Sequence, residues 1–240
     1  MTESRTSGER VLVTGANRGL GLEFVRQYAE RGARVFAGCR NPDGAGFLST
    51  LVAHREDRIE VLELDVTRRD SIDAVVNRIA LDGDGSLDIV INNAGTSPRG
   101  EEFSNLDAAS MTAVLEVNAI APLIVAQRCH RLLVHSGHPR IVNISSSMGS
   151  LAHKESGRHY SYAASKAALN MLTRAAAHDL APEGMIVVAL HPGWVQTDLG
   201  GPHAELTASE SVNDMLTVID RLESAHSSRF LTRDGGEHPW

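Results

Sequence analysis

Seven short runs rich in Val, Ile and Leu recur along the chain, and a helical pattern separates each from the next. The runs fall at 10–14, 34–38, 59–64, 87–92, 140–145, 185–190 and 229–232. They are nearly continuous apolar stretches rather than alternating ones. A strand reads that way when both its faces are buried, as in a parallel sheet covered by helices. Between the runs, Leu20, Phe24, Val25 and Tyr28 mark one helical stripe, and Ile72, Val75, Val76 and Ile79 another. Val212, Met215, Leu216, Ile219 and Leu222 mark the last, with Thr207 and Glu210 as its expected capping box. Strand and helix in strict alternation imply right-handed crossovers and an α/β, doubly wound, seven-stranded parallel sheet with helices on both faces. No repeat or linker interrupts the pattern. A single domain over 1–240 is expected, with 1–8 flexible and 191–208 a loop covering the substrate or cofactor.

Composition narrows the function. A net charge of −7 and 4% aromatic residues argue against a nucleic-acid surface. Cys39 and Cys129 lie in apolar segments and read as buried free thiols, which suits a reducing cytoplasm. The polar start MTESRTSGER does not read as a signal peptide, and no apolar stretch is expected to approach the ~20 residues that span a bilayer. His130, His135 and His138 lack the spacing of a helical zinc site, so no metal is expected.

VLVTGANRGLGLEF places Gly15, Gly19 and Gly21 between the first strand and the first helix. In that context glycines let backbone N–H groups approach a pyrophosphate at a helix N-terminus. At the end of the second strand an NAD site usually carries an acid for the ribose 2′-hydroxyl. This chain has Cys39 and Arg40 there, and Asp43 is expected later, in the following helix. Arg18 lies within the glycine loop itself. Two guanidinium groups suit a 2′-phosphate, which Arg binds in bidentate fashion, although both could equally be solvated surface arginines. Asp65 and Val66 could meet an adenine ring, or Asp65 could cap the helix starting near Arg68. NNAG, at 92–95, closes the fourth strand with small residues.

Tyr162 and Lys166 share one helix face at i, i+4. An unperturbed phenol is a poor acid–base catalyst at neutral pH, and a nearby ammonium is expected to lower its pKa. The chain has only two lysines among its 23 basic residues. A compact three-donor ammonium at 166 therefore reads as chosen over the broad guanidinium fork. Asn118 stands inside a helical segment, an unfavourable place unless its side chain bonds something. Ser145, Ser146 and Ser147 close the fifth strand.

Taken together, TGANRGLG, NNAG, Asn118, the strand-end serine, YAASK and the PG-x3-T segment resemble the short-chain dehydrogenase/reductase family over essentially the whole chain. The resemblance implies strand order 3-2-1-4-5-6-7 and a bound nicotinamide dinucleotide, NADP(H) in preference, with NAD(H) as the other form admitted. It implies Tyr162 as general acid/base, Lys166 on the nicotinamide ribose, Asn118 holding a proton-relay water, and Ser146 orienting the substrate carbonyl, with Ser147 as runner-up. The cofactor would further meet Gly15, Asn17, Arg18, Gly19, Leu20, Gly21, Arg40, Asp65, Val66, Asn93, Ala94, Gly95, Pro192, Gly193, Val195 and Thr197. Ser147, Met148, Tyr160 and Trp194 would face substrate. Ser146 precedes Tyr162 by slightly more than the commonest family spacing, the extra residues falling in LAHKESGRH. Finer features, Arg18 and the segment HPGWVQTDLGGPHAELT among them, resemble the sniffer and C-factor type of carbonyl reductases. These imply an oxidoreductase moving hydride between nicotinamide and a small carbonyl or alcohol. No nucleic-acid or membrane partner is expected, and the family habit points to a homodimer or homotetramer. Two other readings stay open: a cofactor-binding signalling protein, and a ketoacyl-thioester reductase.

Overall fold

The computed structural model describes residues 8–55 and 57–240. The expected flexible start therefore falls outside the described residues, Gly8 apart. The strands are β1 (Arg10–Thr14), β2 (Arg34–Cys39), β3 (Ile59–Glu63), β4 (Ile89–Asn92), β5 (Arg140–Ile144), β6 (Ile186–His191) and β7 (Phe230–Thr232). They form one sheet in the order β3-β2-β1-β4-β5-β6-β7, as the family resemblance implied, and every pairing is parallel, as the apolar runs implied. The helices are α1 (Gly19–Glu30), α2 (Gly46–Ala53), α3 (Arg69–Ala80), α4 (Ala108–Leu115), α5 (Ala121–Leu133), α6 (Tyr160–Leu180) and α7 (Ala208–Asp220).

Each strand feeds two cores by alternation. Val11, Val13, Val35, Ala37, Ile89 and Ile91 pack with Phe24, Val25 and Tyr28 of α1 and with Val212, Met215, Leu216 and Ile219 of α7. Leu12, Phe36, Val90 and Ile141 turn to the other face and meet α3 and α5. A continuous apolar run is what a strand between two such layers requires. The winding reverses between β1 and β4, so a crevice opens beyond their C-terminal ends, where doubly wound sheets bind ligands.

Three expectations are corrected. Strand β4 begins at Ile89 rather than Leu87, because the Leu87 N–H donates to the Leu132 carbonyl and leaves the sheet ladder. Asp43 sits in a turn before α2, not in the helix, since the Ala45 N–H closes a turn on the Pro42 carbonyl. An apolar stretch of spanning length does exist. Residues Ala108–Leu133 run as one 26-residue helix with a window of mean hydropathy 1.7, enough by length and composition to cross a membrane. Its residues Ala121, Val125, Ala126, Cys129, Leu132 and Leu133 are buried against α3 and the sheet. The helix is apolar in part because it lines this core.

Candidate active site

The glycine loop and the end of β4 are joined by side chains. Thr14 Oγ1 accepts from the N–H groups of Asn93 and Ala94, each at 3.0 Å. Asn93 Nδ2 donates to the carbonyls of Thr14 at 2.9 Å and Gly15 at 3.2 Å. Gly15 has φ of +67°, and a Cβ there would lie 2.9 Å from Ala94 Cα. Backbone thus passes where no side chain fits. Helix α1 begins at Gly19 with no side-chain cap and no acid in its first turn, which leaves a helix N-terminus fit for an anion. Gly21, Asn17 and Leu20 line the same turn. Ala94 and Gly95 carry the chain out of β4 towards Asn118, and a Cβ on Gly95 would be 3.5 Å from Asn118 Oδ1.

Asn118 lies in a π-helical turn, Glu116–Ile120, between α4 and α5. Pro122 has no N–H to give, so the Asn118 carbonyl loses its ordinary helical donor. The side chain is fully buried and fully engaged. Oδ1 accepts from Thr96 N at 2.8 Å, and Nδ2 donates to Thr96 O at 2.8 Å and Ser165 Oγ at 2.9 Å. Ser165 Oγ donates in turn to the Tyr162 carbonyl at 2.7 Å. An asparagine that is poor for an isolated helix is here the tie between α4–α5, the loop after β4, and α6.

Helix α6 is fixed to β5 at three positions one turn apart. Lys166 Nζ donates to the Ile144 carbonyl at 2.8 Å. Asn170 Oδ1 accepts from Ser145 Oγ at 2.6 Å, and Thr173 Oγ1 from Asn143 Nδ2 at 2.8 Å. Beyond β5 a tight turn, Ser147–Gly149, lies on the helix: a Cβ at Gly149 would be 2.7 Å from the Lys166 carbonyl carbon. Ser146 opens that turn, its Oγ accepting from Met148 N at 3.2 Å. His191 supports it from the end of β6, Nδ1 accepting from Ser147 N at 3.3 Å. Burial, aided by His238 and Arg233, holds the His191 pKa down at about 4 and keeps that nitrogen an acceptor.

Ser146, Tyr162 and Lys166 converge at this place, as expected, but their electrostatics differ from the expected pattern. Burial pushes the Tyr162 phenol above its ordinary pKa, and a hydrogen bond with Ser146 only partly offsets it. Burial likewise lowers Lys166 to about 8. The ammonium sits 5.7 Å from the Tyr162 ring centroid and is held by a backbone carbonyl, and burial rather than its charge governs the phenol. A phenol held protonated is the form that donates a proton.

The loop after β6 reaches across to the glycine loop. The Leu206 N–H donates to the Trp194 carbonyl and the Gln196 N–H to the Leu206 carbonyl, and Trp194 Nε1 donates to Gly200 O at 2.8 Å. Thr197 Oγ1 accepts from Gly200 N at 3.1 Å, and its methyl stands 3.2 Å from the Cβ position of Gly19. Val195 is buried, the Pro192 carbonyl accepts from Ser211, and Gly193 makes a left-handed turn. At the far end of the crevice Arg40 is exposed. Arg18 is exposed too and paired with Asp198 of the loop after β6, so it is not a free cation. Burial raises the Asp65 pKa, but hydrogen bonds from Thr67 and the charges of Arg40 and Arg68 outweigh it and hold the carboxyl low. Asp65 makes a turn with Thr67 rather than capping α3, and Val66 is buried beside it. Tyr160, at the start of α6, faces Phe103 with ring centroids 6.2 Å apart. Among the described residues no group of His, Cys, Asp or Glu could hold a metal ion.

Sequence reasoning missed Gly149, Ser165, Asn170, Thr173, His191 and Glu101. For Asn170 and Thr173 a signal existed, since with Lys166 they form a polar i, i+4, i+7 stripe on one helix face.

Comparison with known proteins agrees with this fold. The family model for short chain dehydrogenase matches residues 9–206. C-signal of Myxococcus xanthus is 46% identical over 156 residues, 65% of this chain and 94% of that protein. The structure of carbonyl reductase Sniffer of D. melanogaster superposes with a TM-score of 0.92 at 32% identity, covering 97% of this chain and all of that one. The NADPH-bound carbonyl reductase from chicken fatty liver superposes with a TM-score of 0.91 at 38% identity, covering 98% and 100%.

Proposed function

This chain belongs to the short-chain dehydrogenase family, and on that premise we propose that it is an NADP(H)-dependent carbonyl reductase acting on a small ketone or aldehyde. The observation that carries the reading is the Tyr162 phenol, kept protonated by burial, bonded to Ser146 and standing over a buried lysine. A proton donor and a carbonyl-orienting hydroxyl in one crevice suit the addition of hydride and proton across C=O.

The residues fit a nicotinamide dinucleotide. Gly15, Gly19 and Gly21 would bring backbone N–H groups to the pyrophosphate at the uncapped start of α1. Lys166 would hold the nicotinamide ribose, Val195 and Thr197 the carboxamide, and Arg40, aided by Arg18, the 2′-phosphate. The cofactor, when bound there, would supply the hydride. Ser146 then holds the substrate oxygen by hydrogen bonding, and the Tyr162 Oη proton passes to that oxygen as charge develops on it. Asn118 fixes Tyr162 through Ser165, and its carbonyl, short of its helical donor, suits a water that resupplies the proton. Exposed Phe103, against Tyr160, and exposed Trp194 and Leu199 in the loop after β6 suit an apolar substrate.

Aldehydes and ketones screened with NADPH, read by loss of reduced-nicotinamide absorbance, test the reading. Turnover of at least one apolar carbonyl that needs Tyr162 is expected. NADPH binding without turnover of any carbonyl would instead favour a cofactor-binding signalling protein, the second reading that the likeness to C-signal supports.

A further inference from the structure

Helix α6 carries the proposed proton donor in its first turn, yet its own N-terminus is poorly provided for. His159, the residue that should cap it, is left-handed, with φ of +52°, and makes no side-chain cap. Arg158 before it is also left-handed, with φ of +65°. Two successive non-glycine residues in that region cost energy and persist only where surroundings impose them.

The surroundings come from far away in sequence. Glu101, in the loop after β4, sets its carboxylate on the first turn of α6. Its Oε2 accepts from Ser161 N at 2.8 Å and its Oε1 from Ser161 Oγ, and Ser161 is fully buried. The next two residues follow suit: Glu102 pairs with Arg158 at 3.0 Å, and Phe103 packs on Tyr160. Three consecutive side chains thus grip three residues at the helix entrance. A carboxylate at this point also complements the positive end of the helix dipole.

We infer that Glu101 is a positioning residue for Tyr162: it supplies, from the loop after β4, the cap that α6 lacks, and so fixes where the phenol stands. The role rests on the carbonyl-reductase reading above, but the cap itself does not. Glutamine at 101 can keep both contacts, its carbonyl accepting from Ser161 N and its amide donating to Ser161 Oγ. Alanine keeps neither.

In full-length protein, Glu101→Ala should lower kcat by on the order of 10- to 100-fold, the loss a small misplacement of a catalytic group brings. The NADPH dissociation constant should stay near wild type, and the melting temperature should fall by only the few degrees that loss of one helix cap brings. Glu101→Gln should return kcat to within about threefold of wild type, because only the charge is lost. Hydrogen exchange at the Ser161 amide should quicken in the alanine variant and not in the glutamine one. A kcat for Glu101→Ala within twofold of wild type, or no recovery with glutamine, would overturn the inference. Wild-type protein inactive on every carbonyl would sink the proposed function alone, and exchange at Ser161 would then decide the cap.

Discussion

The two ends of the crevice are built differently. At the catalytic end, Asn118 and Lys166 are buried, and each functional side chain is held from a second element: Lys166 by Ile144, Asn118 by Thr96 and Ser165, Ser146 by the Ser147–Gly149 turn. At the adenosine end, Arg18 and Arg40 are exposed, and the one described ion pair of Arg18 is with another exposed group. A proton transfer tolerates little error in position, so that end is made rigid by burial and hydrogen bonding. Telling a phosphate from a hydroxyl needs only charge, which acts through water at a surface. The first end should therefore respond to substitution steeply and the second in proportion to charge.

Removing the proton donor is the largest test of this contrast. Tyr162→Phe should cut kcat by on the order of 10²–10⁴-fold while NADPH affinity stays nearly unchanged. Tyr160→Phe, at the mouth, should alter mainly the KM for substrate. If the Tyr160 variant were the inactive one, the rigid end would be misassigned.

Arg40→Asp comes next. A charged hydrogen bond contributes roughly 1.5–3 kcal/mol, less when exposed to solvent. The ratio of NADPH to NADH dissociation constants should therefore shift towards NADH by about 10- to 100-fold. Arg18→Ala should shift it by less than about fivefold, because Asp198 already competes for that guanidinium. Equal effects from the two would mean that Arg18 leaves Asp198 when cofactor binds.

The last test concerns pH and protein without cofactor. Lys166 has its pKa lowered from 10.5 to about 8 by burial. The folded state then releases its proton before the unfolded state does. Between about pH 8 and 10.5 the unfolded chain holds more protons, so this group makes stability rise with pH, by at most about 3 kcal/mol. Lys166→Met should remove that rise from the pH dependence of urea unfolding. An unaltered profile would place the lysine in water.

Much of the fold and part of the crevice were legible in the chain itself. The seven apolar runs, the glycine loop and the capping box of α7 are local patterns, set by strand and helix periodicity and by backbone limits that act within a few residues. The i, i+4 spacing of Tyr162 and Lys166 is local in the same sense. The expected lowering of the phenol pKa failed because it weighed one neighbour and no burial. The expectation of no span-length apolar helix failed at 108–133, where two apolar segments fuse through a π turn that helical periodicity does not mark.

What the sequence determined by itself was therefore the order of elements, the parallel sheet, the glycine turn and the presence of a Tyr–Lys face on one helix. Each follows from interactions between near neighbours. Tertiary structure alone decided the rest: that Glu101 caps α6 from 60 residues away, that Asn93 zips β4 to the glycine loop, that Gly149 must be small because Lys166 lies against it, and that the phenol is held protonated. Desolvation and long-range hydrogen bonding depend on which distant segments meet, and that is fixed only when the two cores on either side of the sheet have closed.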